Sequence, residues 1–163
     1  MTRVLIADDQ EVWRNLLKVE LERNLNYQVC GQAVDGAQLV AMALEIRPDV
    51  VIVDLVMPNM NGLDAAQEIS RRLPGIPIVM YTLTDGMVVM PEASKAGIHS
   101  VVQKQEGIAP LLAAIETSLE KRNLNPMAEL PLQALPNTAT DDSTATIACE
   151  GGNSPGTDTS KAS

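Results

Sequence analysis

The sequence predicts an α/β fold with a five-stranded parallel sheet covered by helices on both faces. Two observations carry that expectation. Strand-like and helix-like stretches alternate five times up to Leu124, the pattern of repeated βα units. The third strand-like run, Val50-Val51-Ile52-Val53, is apolar throughout, as a central strand buried on both sides should be.

The elements follow in order. Arg3–Ala7 is a β-branched and aliphatic strand. Gln10–Arg23 carries apolar residues at helical spacing, at Trp13, Leu17 and Leu21. Gln28–Ala33 is a second strand. Gly36–Ile46 reads as a helix through Leu39, Val40, Ala43 and Leu44. The breaker Arg47-Pro48-Asp49 precedes the strand Val50–Asp54. Pro58–Gly62 is a loop and Leu63–Leu73 a helix. Pro74-Gly75 ends that helix before the strand Pro77–Thr82. A weaker helical region reaches Ala96 and is stopped by Gly97. His99–Gln103 is the fifth strand and Ile108–Arg122 the last helix.

Composition narrows the functions. The chain has 163 residues, 45% of them hydrophobic, with no Phe, one Trp and two Tyr. The core must therefore be aliphatic. A net charge of −9 argues against a nucleic-acid surface, which needs a basic footprint. Cys30 and Cys149 are expected to be free thiols in a reducing compartment. The chain opens on a strand, so no signal peptide is expected. No apolar stretch approaches the roughly 20 residues of a membrane span. The expected location is the cytoplasm, with no membrane or nucleic-acid partner.

After Leu124 the texture changes. Residues 125–163 contain Pro126, Pro131, Pro136 and Pro155, many Ser and Thr, and a Gly-Gly pair. The expectation is a domain over 1–124 and a disordered tail over 125–163. Leu130, Leu132 and Leu135 form a leucine-bearing part that could dock on the domain or on a partner.

The chemistry lies at the strand ends. The first apolar run leads into Asp8-Asp9, the third into Asp54, the fourth ends at Thr82, and the fifth leads into Lys104. In a parallel sheet these residues share the C-terminal edge, where open α/β sheets bind ligands. Three clustered carboxylates call for a hard divalent cation, with Mg2+ the usual choice. The threonine and lysine suit the remaining oxygens of a phosphoryl group. No P-loop, dinucleotide fingerprint or zinc spacing is present.

Over residues 1–122 the sequence resembles the receiver domain of two-component response regulators. The resemblance rests on Asp8-Asp9, on Asp54-Leu55-Val56-Met57-Pro58 followed by Gly62, on Thr82, and on Ala96-Gly97-Ile98 leading to Lys104. It implies a flavodoxin-like (βα)5 sheet of strand order 2-1-3-4-5. It implies that Asp54 accepts a phosphoryl group from a sensor histidine kinase or histidine phosphotransfer protein. It further implies that Asp9 binds Mg2+ directly and Asp8 through water, with Asp54 and the Val56 backbone carbonyl completing the protein ligands. Lys104 would pair with Asp54 before reaction and with a phosphoryl oxygen afterwards, and Thr82 would bond another. A protein of this kind catalyses only its own phosphorylation and dephosphorylation.

Three positions depart from the family pattern. Gln105 stands where many receivers have a proline in a cis bond, so a trans bond or a remodelled loop is expected. Val101 stands where an aromatic residue often rotates on activation. Pro91 falls within the fourth helix, which is expected to be short, kinked or frayed. His99, the only histidine, is expected at a strand edge, and Trp13 in the core or at the pocket rim.

The leading function is a single-domain response regulator that binds an unnamed downstream protein or acts as a phosphate sink. The alternatives are the receiver of a transcription regulator lacking its DNA-binding domain, and a phosphorylation-independent interaction module. A metal-dependent phosphatase is a weaker alternative, since its second aspartate position is held by Val56.

Overall fold

The computed structural model describes residues 1–124; the proposed tail, 125–163, and Cys149 within it lie outside the described residues. The elements are β1 (Thr2–Ala7), α1 (Glu11–Arg23), β2 (Tyr27–Ala33), α2 (Gly36–Ile46), β3 (Val50–Val53), α3 (Gly62–Arg72), β4 (Ile78–Thr82), α4 (Gly86–Lys95), β5 (Ser100–Gln103) and α5 (Ile108–Leu124). A short 3-10 turn, Lys104–Glu106, joins β5 to α5. The strands pair in parallel in the order β2-β1-β3-β4-β5, the flavodoxin-like order expected.

Alternation along each strand builds two cores, because successive side chains point to opposite faces. On one face, Leu5, Val51, Val53, Ile78 and Met80 pack with residues of α2, α3 and α4, including Leu39, Ala65, Ile69, Val89 and Ala93. On the other, Val4, Ile6, Ile52, Val79 and Tyr81 pack with Leu17 and Leu21 of α1 and Leu111 and Ile115 of α5. All four residues of β3 are buried, as a strand covered on both faces requires. The N-termini of α2, α3 and α4 are capped by Asp35, Asn61 and Asp85, whose side chains accept from the backbone N–H groups of Gln38, Asp64 and Met87. Such caps satisfy N–H groups that the first helical turn leaves without intrahelical partners.

Pro91 does not interrupt α4, which runs unbroken from Gly86 to Lys95 and is the shortest of the five α-helices among the described residues. Val89 and Ala93 are buried on either side of it. Their burial holds the helix across the missing N–H. The chain passes through Lys104-Gln105 with a trans peptide bond and enters the 3-10 turn at once. His99 precedes β5; its Nδ1 accepts from the backbone N–H of Ile78 at 3.2 Å. Cys30 is a free thiol at the irregularity between β1 and β2, where Val4 pairs with Val29 and Leu5 with Gly31. No described helix is long and apolar enough to cross a membrane.

Candidate functional site

The register fixes the site. Ala7 lies opposite Val53, so the next residues, Asp8 and Asp54, leave adjacent central strands side by side. The Asp54 N–H continues the ladder, donating to the Ala7 carbonyl at 2.9 Å. Thr82 pairs with Gln103, which brings Lys104 to the same edge one residue further on. Asp8, Asp54, Thr82 and Lys104 are all buried, while Asp9 is exposed.

Lys104 sits between two carboxylates. Its Nζ is 2.5 Å from Asp8 Oδ2 and 3.2 Å from Asp54 Oδ2, and its side chain has no exposed surface. The pairing expected with Asp54 is present, but the shorter contact is to Asp8. One ammonium serves two buried carboxylates here, and Asp54 has a second donor, since its Oδ1 accepts the Leu55 N–H at 2.8 Å. Asp8 Oδ1 in turn accepts the Gln10 N–H at 2.9 Å. Burial raises the Asp54 carboxyl above its ordinary value; the Lys104 charge opposes that rise and the Asp8 charge adds to it.

Carboxylate oxygens of Asp8, Asp9 and Asp54 all lie within 4.8 Å of one another. Opposed oxygens around Mg2+ are about 4.2 Å apart, so a small closure brings these hard donors around one cation. The residues therefore fit a divalent cation of that kind. Val56, whose carbonyl the resemblance adds to the ligand set, lies exposed in the loop leaving β3. Thr82 Oγ1 accepts the Thr84 N–H at 3.2 Å, which links its hydroxyl to the segment leading into α4.

Backbone packing holds the loop after Asp54. Gly62 donates to the Leu55 carbonyl at 2.9 Å, and a Cβ there would lie 2.0 Å from the Asp54 carbonyl oxygen. Only glycine permits this approach. Three features were not read from the sequence. Arg14 donates to the backbone carbonyls of Asp8 and Asp9 at 2.8 and 3.1 Å. Trp13, expected as core or rim, packs against the α1/α5 core and also lies beneath the Lys104 ammonium, 5.0 Å from it. Tyr81 directs its hydroxyl to the Lys104 carbonyl at 3.4 Å. The one available signal was spacing: Trp13 follows Asp9 by four residues, and Arg14 by five.

A doubly wound parallel sheet with three aspartates, a threonine and a lysine at its C-terminal edge defines a signalling domain of the receiver class. The family model of the response regulator receiver domain matches residues 4–116, and the chain belongs to that family. Chemotaxis protein CheY of Thermotoga maritima is 36% identical over 102 residues, 63% of this chain and 84% of CheY. Transcriptional regulatory protein LiaR of Bacillus subtilis is 37% identical over 119 residues, 72% of this chain and 56% of LiaR. Among solved structures, the response regulator domain of Thermotoga maritima CheB matches with a TM-score of 0.69 at 30% identity, covering 74% of this chain and 97% of that domain. The chain spans just over half of LiaR and 31% of the Thermotoga maritima protein-glutamate methylesterase/protein-glutamine glutaminase. Receiver domains bind Mg2+ at an acidic pocket and interact with histidine kinases or phosphotransfer proteins.

Proposed function

We propose that this protein accepts a phosphoryl group on Asp54 from a histidine kinase or histidine phosphotransfer protein, and then acts through protein binding or as a phosphate sink. One observation carries the reading: a buried carboxylate at the end of the central strand faces a fully buried lysine beside two further aspartates. An Asp54 oxygen attacks phosphorus, and the bond to the donor imidazole nitrogen breaks with its electron pair leaving on that nitrogen. Lys104 stands where it can hold a phosphoryl oxygen of the product, and Thr82 can offer its hydroxyl to another. Bound by Asp8, Asp9, Asp54 and the Val56 carbonyl, Mg2+ would offset the charge on the phosphoryl oxygens, which is most of what this transfer requires. Residues 1–124 form the receiver domain in this reading, and 125–163 an appended tail.

Incubation with acetyl phosphate and Mg2+ followed by intact-mass analysis tests the assignment. The wild type should gain one phosphoryl group and Asp54→Asn none. An undiminished adduct on Asp54→Asn would place the acceptor elsewhere.

A further inference from the structure

The Lys104 ammonium has three hydrogens to donate. Two are met by Asp8 Oδ2 and Asp54 Oδ2. A further electron-rich surface at this ammonium is the indole ring of Trp13, its centroid 5.0 Å away. A cation over an indole face is attracted by the ring quadrupole, and more strongly when water is excluded. Water is excluded here, since the lysine side chain has no exposed surface.

The ring is itself held. Trp13 meets Tyr81 edge to face, with centroids 6.2 Å apart and planes at 86°. Tyr81 is buried in β4 and reaches the Lys104 backbone carbonyl through its hydroxyl. Two of the chain's three aromatic residues therefore contact Lys104, one at its head and one at its backbone. Both also belong to the α1/α5 core, Tyr81 as a buried member and Trp13 packed against it, so their contacts with Lys104 come in addition to packing.

We propose that Trp13 is a positioning residue for Lys104. Its ring face keeps the ammonium in the gap between Asp8 and Asp54, already placed to meet a phosphoryl oxygen on Asp54. A charge held in advance needs no reorganisation as the transition state forms. Without the ring, the ammonium is drawn to the carboxylates alone and must be pulled back during transfer. The proposal rests on Asp54 being the acceptor and adds a residue of α1 to the support of the transfer.

The test is the rate of Asp54 phosphorylation by acetyl phosphate and Mg2+, followed by intact mass on the full chain. Trp13→Phe keeps a ring face and Trp13→Leu removes it. Trp13→Leu should slow transfer about fivefold and Trp13→Phe by less than about twofold. In a Lys104→Met background the two should react at the same low rate, because the coupling they report is gone. Equal rates with Lys104 present, or a gap that survives Lys104→Met, would overturn the proposal and assign Trp13 to packing. A wild type that takes no phosphoryl group overturns the reading of Asp54 and this proposal with it. If Trp13→Leu does not fold, the emission of Trp13, the only tryptophan, decides in its place. Lys104→Met must shift that emission, and an unchanged spectrum overturns the contact.

Discussion

Lys104→Met keeps the side-chain stem and removes the charge. It leaves the side chains of Asp8 and Asp54, 2% and 7% exposed, without the cation that lies between them. Removing one partner of a buried ion pair costs about 3–5 kcal/mol, because the remaining charge is uncompensated. Asp54 retains the Leu55 N–H and Asp8 the Gln10 N–H, which favours the lower end, about 3 kcal/mol. At roughly 4 °C per kcal/mol for a domain of this size, melting near neutral pH should fall by about 12 °C.

The pH dependence separates a charge effect from a packing effect. Burial already raises the Asp54 carboxyl, with Lys104 opposing the rise and Asp8 adding to it. Without Lys104 the carboxyl rises further. A group whose folded pKa lies above its unfolded value contributes stability that is present below the unfolded pKa and lost as pH rises through the folded one. The deficit of Lys104→Met should therefore be largest at neutral pH and shrink on acidification, as Asp54 takes a proton. Thermal melts of wild type and variant at about pH 7.5 and about pH 5 read this directly. A deficit that is equal at the two values, or larger in acid, refutes the reasoning and makes the loss one of packing.

Three other expectations follow from the same geometry. Millimolar Mg2+ should raise the melting temperature by relieving repulsion among Asp8, Asp9 and Asp54, and Asp9→Ala should remove the shift; equal shifts in both would put the cation elsewhere. Gly62→Ala should destabilise by about 3 kcal/mol in urea unfolding, since its Cβ meets the Asp54 carbonyl oxygen at 2.0 Å; a loss under about 1 kcal/mol would mean that the loop yields freely. A phosphoryl mimic such as beryllofluoride should raise hydrogen-exchange protection most over residues 84–96, because Thr82 contacts Thr84 and Pro91 leaves α4 one backbone bond short; protection rising instead along α1 would move the read-out there.

The succession of strands and helices and the edge residues were legible because each depends on local pattern, whereas the strand order β2-β1-β3-β4-β5 was expected only from the family resemblance. Continuous apolar runs marked β3 and β4, and Arg47-Pro48, Pro74-Gly75 and Gly97 marked the ends of helices. Once the strands are parallel neighbours, Asp8, Asp54, Thr82 and Lys104 must share an edge. Contacts that decide the electrostatics were not legible, because they join distant residues. Lys104 and Asp8 are 96 positions apart, and nothing in either segment states which carboxylate the ammonium approaches more closely. Trp13 has the spacing of a core residue and fills that role too, so its second contact had no separate signature. Pro91 was read as shortening, kinking or fraying the fourth helix; α4 is the shortest of the described α-helices but continues through the proline, with Val89 and Ala93 buried on either side.

The balance of charge at this edge shows what a divalent cation would add that the lysine alone does not. Three carboxylates against one ammonium leave two negative charges among the grouped side chains. Arg14, nearby, is committed to the backbone carbonyls of Asp8 and Asp9, so it steadies the loop without closing on an acid. One divalent cation cancels the remainder. On the proposed reaction, the single charge of Asp54 gives way to a phosphoryl group carrying nearly two at neutral pH, and the edge becomes more negative still. Lys104 contributes the same single charge before and after. A bound cation would therefore be needed more by the phosphorylated state than by the resting one, and removing Mg2+ should impair transfer more than it impairs folding.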